Sequence, residues 1–323
     1  MNTLITCMGE CLIDFLPMNT HEQDTSTDFR MYAAGSLFNV AMGLARLGQT
    51  TAFASKVADD YFGRFLRKHI EAEQIDTRFL ALAAGKQSTL AFVAMENGSP
   101  VFNFYGEEAA DTLLTLEDLP EALFAETRIL HFGSISLLRG TTPKAVLQTV
   151  ERLHGKALLS LDLNIRPALV QDEPQYRTLL QRLIALADVV KLSDADLAWF
   201  RPHLSVEQAL SELLTQGPAL AVITRGAQGV IAARMSGAMV QVPNFAVQVV
   251  DTVGAGDSFC AGLLAQLAER GMITKEAVLE ISEATLSEIL RFAAAVAALN
   301  CMQAGANPPS RAEVERFLRL QKA

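Results

Sequence analysis

Short apolar runs alternate along this chain with longer stretches in which apolar residues recur every three or four positions. Residues 3–15 (TLITCMGECLIDF) predict one strand. They are followed by a helix at 36–48 (SLFNVAMGLARLG), a strand at 50–58 and a helix at 61–75. Further strands are predicted at 128–135, 157–164, 187–193, 219–226 and 229–235, with helices at 144–153, 176–187 and 206–215. A strand-helix alternation of this kind predicts a mostly parallel sheet with helices on both faces.

Two segments, 15–34 and 86–110, break the rhythm and predict a small antiparallel lid. In the second, residues 88–95 and 101–105 flank a turn at Glu96-Asn97-Gly98-Ser99, where Asn-Gly supplies the positive φ of a tight hairpin. An edge hairpin of the main sheet is the alternative. No linker rich in Pro, Gly or Ser divides the chain, so residues 1–323 are expected to form one domain.

Composition narrows the function class. Of 323 residues, 27 are Lys or Arg and 36 are Asp or Glu, a net charge of −9, which argues against a nucleic-acid or anionic-membrane partner. Half the residues are hydrophobic, ample for a packed core. The apolar start has no basic leader and carries Glu10 and Asp14, so export is not expected. The longest low-charge stretch, 292–306, contains Asn300 and Gln303 and is too short and polar to span a bilayer. Cys7, Cys11, Cys260 and Cys301 are too scattered for a disulfide framework, and a reduced, cytoplasmic setting suits them.

Candidate chemistry concentrates in residues 251–259 (DTVGAGDSF), between an apparent strand at 245–250 (FAVQVV) and a helix. A turn of small residues at a helix N-terminus presents free N–H groups to an anion, and Asp257 beside it is placed to take a proton from an attacking hydroxyl. A glycine-rich turn capped by Asp257 or Ser258 fits the same residues. The GxG at Gly254–Gly256 also begins like a dinucleotide fingerprint, but Phe259 stands where its third glycine belongs, and a long helical stretch follows instead of a strand. No GxxxxGK[ST] sequence occurs.

With three other segments, these residues resemble the ribokinase-like carbohydrate kinases, the PfkB family. DTVGAGDSF resembles that family's C-terminal signature, and AAGSLFNVAMGLARLG at 33–48 its N-terminal one. LDLNIRP at 161–167 and KLSDADL at 191–197 are similar to the middle motifs of fructokinase and 2-keto-3-deoxygluconate kinase members, and VITRGAQG at 222–229 resembles the nucleotide loop. The resemblance implies a three-layer α/β/α domain with a small β-sheet lid, and ATP-dependent phosphorylation of a hydroxymethyl group on a small sugar, assisted by Mg2+.

Carried over by position, it implies Asp257 as catalytic base and Gly254, Ala255 and Gly256 as the anion hole. Asp14, Gly35, Asn39 and Tyr105 would contact the sugar, and Arg166 would lie between sugar and phosphates. Asn164, Ser193, Thr224, Gly226 and Gly229 would serve the nucleotide, Asp196 a Mg2+-bound water, and Asp251 with Thr252 a monovalent cation such as K+. Read from the residues alone, Asp14 equally caps a turn, Arg166-Pro167 closes a strand, and 222–229 is an ordinary hairpin.

Three departures from the family pattern bear on these roles. Ala34 replaces the first of the paired glycines in the N-terminal signature, the Asn-x-x-Glu motif reads Ser193-Asp194-Ala195-Asp196, and the basic residue usual after the lid aromatics is replaced by Gly106-Glu107-Glu108. The last departure favours a neutral sugar. Fructose or a similar ketose leads, ahead of 2-keto-3-deoxygluconate and of ribose or a nucleoside. A dehydrogenase and a non-catalytic sugar-binding member are the rival readings. Residues 90–95 are apolar on both alternating faces, so the lid needs cover on its outer side, which a homodimer or another segment of the same chain would supply.

Overall fold

The computed structural model describes residues 3–18, 28–96, 99–235, 237 and 239–321. The chain opens with β1 (Leu4–Met8), β2 (Leu12–Pro17) and β3 (Phe29–Ala34), then α1 (Ser36–Arg46), β4 (Thr51–Ala58), α2 (Tyr61–Ala72), β5 (Leu80–Ala83), β6 (Leu90–Glu96) and β7 (Ser99–Tyr105). There follow α3 (Glu121–Glu126), β8 (Thr127–Gly133), α4 (Thr142–Leu153), β9 (Leu158–Asp162), α5 (Glu173–Leu186), β10 (Val189–Ser193), α6 (Asp194–Phe200) and α7 (Val206–Thr215). The last part holds β11 (Leu220–Thr224), β12 (Val230–Arg234), β13 (Val240–Val242), α8 (Ala255–Glu269), α9 (Lys275–Leu279), α10 (Glu283–Cys301) and α11 (Arg311–Leu320).

Nine strands form one sheet in the order β13-β12-β11-β10-β9-β8-β1-β4-β5. Every pair is parallel except β11 with β12 and β12 with β13. Because strand side chains alternate, Ile5, Ile129, Leu158 and Val189 face one helical layer with α1, α8 and α10, whereas Leu4, Leu130, Leu159 and Val190 face the other with α4, α5 and α7. The three-layer α/β/α fold read from the sequence is therefore present. By length and composition α10 could cross a bilayer, yet it packs against α8, α11 and β13 and buries Leu286, Ile289, Leu290 and Phe292 in the core.

The first apolar run is not one strand, because the chain leaves the main sheet after Met8 and enters a second, four-stranded sheet of order β3-β2-β6-β7. The break falls at Gly9, where a β-carbon would lie 2.3 Å from Ser136 Oγ, and at buried Glu10. The insertions thus build a separate sheet and not an edge hairpin of the large one, and the sheet is mixed where an antiparallel lid was expected, because the two antiparallel hairpins join through a parallel β2–β6 pair. Asn97 and Gly98 of the proposed turn, and 19–27 of the first insertion, lie outside the described residues. The strand expected at 245–250 is also absent: this segment crosses from the sheet edge to α8 with Val249 and Val250 exposed. Its last N–H bonds Cys301 O and no neighbouring strand.

Candidate functional site

Parallel strands bring their carboxyl ends to one edge of the sheet, the usual place for ligands in open α/β folds. Here the lid stands over that edge and leaves a cleft of about 490 Å3, into which the α8 N-terminus, the start of α1 and the loop after β9 all project.

Gly254 opens α8 at φ 74°, a left-handed conformation, and a β-carbon there would lie 2.6 Å from Ala306 Cβ, so only glycine fits. The Ala255 N–H turns back to Thr252 O at 3.2 Å. The N–H groups of Gly256 and Asp257 have no acceptor among the described residues. Free donors at the positive end of a helix dipole are an arrangement that suits an anion.

Asp257 is buried at 8% exposure and held from two sides. Its Oδ1 accepts from Ser36 Oγ at 2.6 Å and its Oδ2 from Asn39 Nδ2 at 2.8 Å. Ser36 Oγ in turn accepts from Asn164 Nδ2 at 2.8 Å. The carboxylate is thus fixed by α1, and α1 by the loop after β9. Asn39 also lines the cleft, and its Oδ1 is buried without a partner among the described residues.

Asp14, Glu10 and Arg166 complete the lining. Burial pushes the Asp14 carboxyl up to about 7, and the charge of Asp257 adds to the effect. Burial likewise raises Glu10 to about 7, against the lowering by its hydrogen bond from Ser136. Glu10 Oε1 also accepts from Ser36 N at 3.0 Å. Gly35 sits at φ 117°, and a β-carbon there would approach Glu10 O to 2.6 Å. Arg166 is exposed into the cleft and forms no ion pair among the described residues.

Of the residues singled out in the sequence, Asp14, Gly35, Asn39, Asn164, Arg166, Thr252, Gly254, Ala255, Gly256 and Asp257 meet in this cleft. Tyr105 does not. In the β6–β7 register Ala91 pairs Phe104 and Leu90 pairs Tyr105, so Phe104 lines the cleft and Tyr105 falls on the opposite face, edge-on to Phe92 with ring centroids 5.6 Å apart. Glu108 also points away, paired with Lys86 at 2.9 Å on the surface.

Asp196 caps its own helix: Oδ2 accepts from Ser193 N at 2.7 Å and Oγ at 2.8 Å, and Oδ1 from Ile165 N at 2.7 Å. Its oxygens are engaged in holding α6 to the loop that carries Arg166, which leaves a water-mediated metal contact poorly supported. Thr224 ends β11, and Gly226 and Gly229 form the turn to β12, both at positive φ. The hairpin is real, and its tip lies at the strand ends outside the cleft lining. Asp251 braces loops, accepting from Val253 N at 3.0 Å and Gly305 N at 2.8 Å.

Ser36, Glu10, Ser134 and Phe104 went unflagged in the sequence. Glu10 carried the available signal, an acid inside an apolar run.

This geometry agrees with the comparisons to known proteins. Residues 2–313 match the pfkB family carbohydrate kinase pattern. The chain belongs to the pfkB family of carbohydrate kinases. It is 38% identical over 283 residues to a fructokinase of Rhizobium leguminosarum bv. trifolii, covering 88% of this chain and 85% of that one. Among solved structures, fructokinase from Xylella fastidiosa with bound ATP superposes with a TM-score of 0.91 at 31% identity, covering 100% of both chains. A double mutant of Vibrio cholerae fructokinase holding fructose, ADP and potassium superposes with a TM-score of 0.85 at 27% identity, covering 98% of each. The expectation of a fructokinase-like, ATP-dependent sugar kinase stands.

Proposed function

We propose that this pfkB kinase transfers the γ-phosphoryl group of ATP to a hydroxymethyl group of fructose. The observation that carries this reading is Asp257, clamped by Ser36 and Asn39 beside the free N–H groups of the α8 N-terminus and across the cleft from Asp14. Asp257 takes the hydroxyl proton as that oxygen attacks the γ-phosphorus. The bond to the bridging oxygen breaks, and ADP leaves with its electron pair. Negative charge on the moving phosphoryl oxygens meets the Gly256 and Asp257 N–H groups and the guanidinium of Arg166. Asp14 accepts sugar hydroxyls, Asn39 lines the same wall, and Phe104 packs against the carbon skeleton. The turn at Thr224–Gly229 borders the nucleotide.

A neutral sugar suits this cleft. Its lining carries three carboxylates, Glu10, Asp14 and Asp257, against the single cation Arg166, so an anionic substrate meets like charge. Glu107 and Glu108 are not among the residues that line the cleft. Among the described residues no group of three His, Cys, Asp or Glu side chains gathers to hold a metal ion. The described residues therefore do not fit a protein-caged Mg2+, and a Mg2+ ion carried by the nucleotide phosphates is the form compatible with them. Asp251, between two loops, is the proposed monovalent-cation ligand.

The lid also supports a homodimer. On its outer face Phe92 makes ring contacts with Phe15, Phe29 and Tyr105. Phe62 of α2 covers Phe15 at 6.0 Å, while Phe29 and Tyr105 stay 42% and 60% exposed. Cover from the same chain is thus partial. Val93 is buried, so Phe92 and Tyr105 would meet a second subunit.

Coupled ADP release over fructose, 2-keto-3-deoxygluconate and ribose tests the substrate. Fructose should give the highest kcat/KM. A tenfold preference for the acid would overturn the reading.

A further inference from the structure

On the underside of the anion site lies a buried ion pair that the chemistry above does not use. Lys191 of β10 and Asp162 of β9 point to the α8 face of the sheet, Nζ donating to Oδ2 at 2.9 Å, with side chains 5% and 2% exposed. Cys260 of α8 also donates to Oδ2, at 3.4 Å, while Oδ1 has no partner among the described residues. A buried pair with an unsatisfied oxygen is a poor stabiliser, since desolvation cancels most of the attraction. Two apolar residues would fill the space at less cost.

Gly256 shows which end of the pair faces the site. Its backbone is ordinary helix, so φ does not demand glycine. The one atom beyond its own helix within 4 Å of a β-carbon built there is Lys191 Nζ, at 3.1 Å. The ammonium is therefore the near end, the carboxylate the far end, and the missing side chain is what lets them sit so close to the helix start. Burial works against the Lys191 charge, but Asp162 outweighs it and holds the ammonium above its ordinary range. His131, on the same sheet face, is kept neutral: burial first, and then Lys191, lower it to about 3. Asp196 and Asp257 are the other acids acting on the cluster.

We propose that Lys191 is a positioning residue for phosphoryl transfer, its ammonium reinforcing the anion site from below through the Gly256 backbone, with Asp162 as the anchor that keeps it there. The proposal rests on the kinase reading but not on the identity of the sugar. In a water-poor interior, an oriented charge beneath the N–H groups adds to their pull on negative charge without touching the substrate.

The test compares Lys191→Gln, Asp162→Asn and the double variant Lys191→Gln/Asp162→Asn. The readout is the affinity for ADP alone against ADP with aluminium fluoride, a mimic of the transferring phosphoryl group that needs no sugar turnover. Losing a direct oxyanion donor costs about 10²–10³ in rate, so this indirect effect should be about tenfold. Lys191→Gln and the double variant should bind ADP within threefold of wild type but the mimic about tenfold more weakly. Asp162→Asn, which loosens the anchor but keeps the lysine and a neutral acceptor for it, should weaken the mimic by no more than about threefold, clearly less than Lys191→Gln. A purely structural pair is broken equally by either single substitution. Equal losses in both singles, or wild-type affinity for the mimic in the double variant, overturn the proposal. A wild type that binds the mimic but phosphorylates no sugar overturns the functional reading instead.

Discussion

Ser36→Ala removes one oxygen from the network that aims Asp257 and is a sensitive probe of it. The substitution falls on the first residue of α1, where alanine is a good helix former, and the Ser36 N–H keeps its bond to Glu10. Asn164 loses its 2.8 Å acceptor but retains Ser134 Oγ at 3.4 Å, so folding should change little. What disappears is a 2.6 Å hydrogen bond to a buried carboxylate. Hydrogen bonds to charged groups are worth about 1.5–3 kcal/mol, and at about 1.4 kcal/mol per decade this sets a fall in kcat of about 10- to 100-fold. Asn39 still holds Oδ2, which keeps the loss below the roughly 10²–10⁴ expected for Asp257→Asn. Coupled ADP release at saturating fructose and ATP, beside a thermal melt, separates catalysis from folding. Because both residues act through one carboxylate, Ser36→Ala/Asp257→Asn should be no slower than Asp257→Asn alone. A Ser36→Ala enzyme with more than half of wild-type kcat, or effects that multiply in the double variant, would refute the network.

Other substitutions probe the remaining walls of the cleft. Arg166→Lys keeps the charge but loses the planar fork. It should lower kcat/KM for both substrates by at least about tenfold, and unchanged steady-state constants would return Arg166 to a strand-end role. Asp14 and Glu10, both raised to about 7, contribute stability that is complete below the unfolded carboxyl range and is lost as pH rises through about 7. The melting temperature of the sugar-free protein should therefore fall between pH 5.5 and 8, and Asp14→Asn should flatten that slope; a flat wild-type curve contradicts it. Phe92→Glu should leave a folded protein that scatters light as a monomer, whereas monomeric wild type at micromolar concentration would remove the lid dimer. Tyr105→Ala should not change the fructose KM by more than twofold in that monomeric background, a direct check that it faces away from the cleft.

Most of the frame was legible because local signals and the fold agree. Strand and helix periods alternate, and the two long signatures mark the α1 and α8 starts that meet in the cleft. Failures came where periodicity is silent. In TLITCMGECLIDF only Gly9 and Glu10 interrupt the apolar run, too brief a break for periodicity to mark the crossing between sheets. Phe104 and Tyr105 are adjacent aromatics, and composition cannot decide which parity faces the cleft; pairing with Ala91 does. Asp196 fits an acidic motif by position, but only the fold shows its oxygens bound to Ser193 and Ile165. Lys191 in VVKLS looks like a polar strand residue until α8 is laid over it.

The short crossing at Gly9-Glu10-Cys11 has a mechanical consequence. The lid joins the body there, where β3 runs through Gly35 into α1, and at the two ends of the β6–β7 hairpin; the first two joints adjoin the base of the cleft. These two touch, as the 2.6 Å approach of a Gly35 β-carbon to Glu10 O shows. Glu10 also grips Ser36 N, and Ser36 grips Asp257. The lid would therefore act as a lever whose fulcrum is the support of Asp257. A sugar held by Asp14, inside β2, would bear on the joint that also holds Ser36 at the start of α1, so substrate capture and the aim of Asp257 should be coupled. A ligand too short to reach Asp14 should then lose turnover as well as affinity, since its remote contacts no longer pull on the lever.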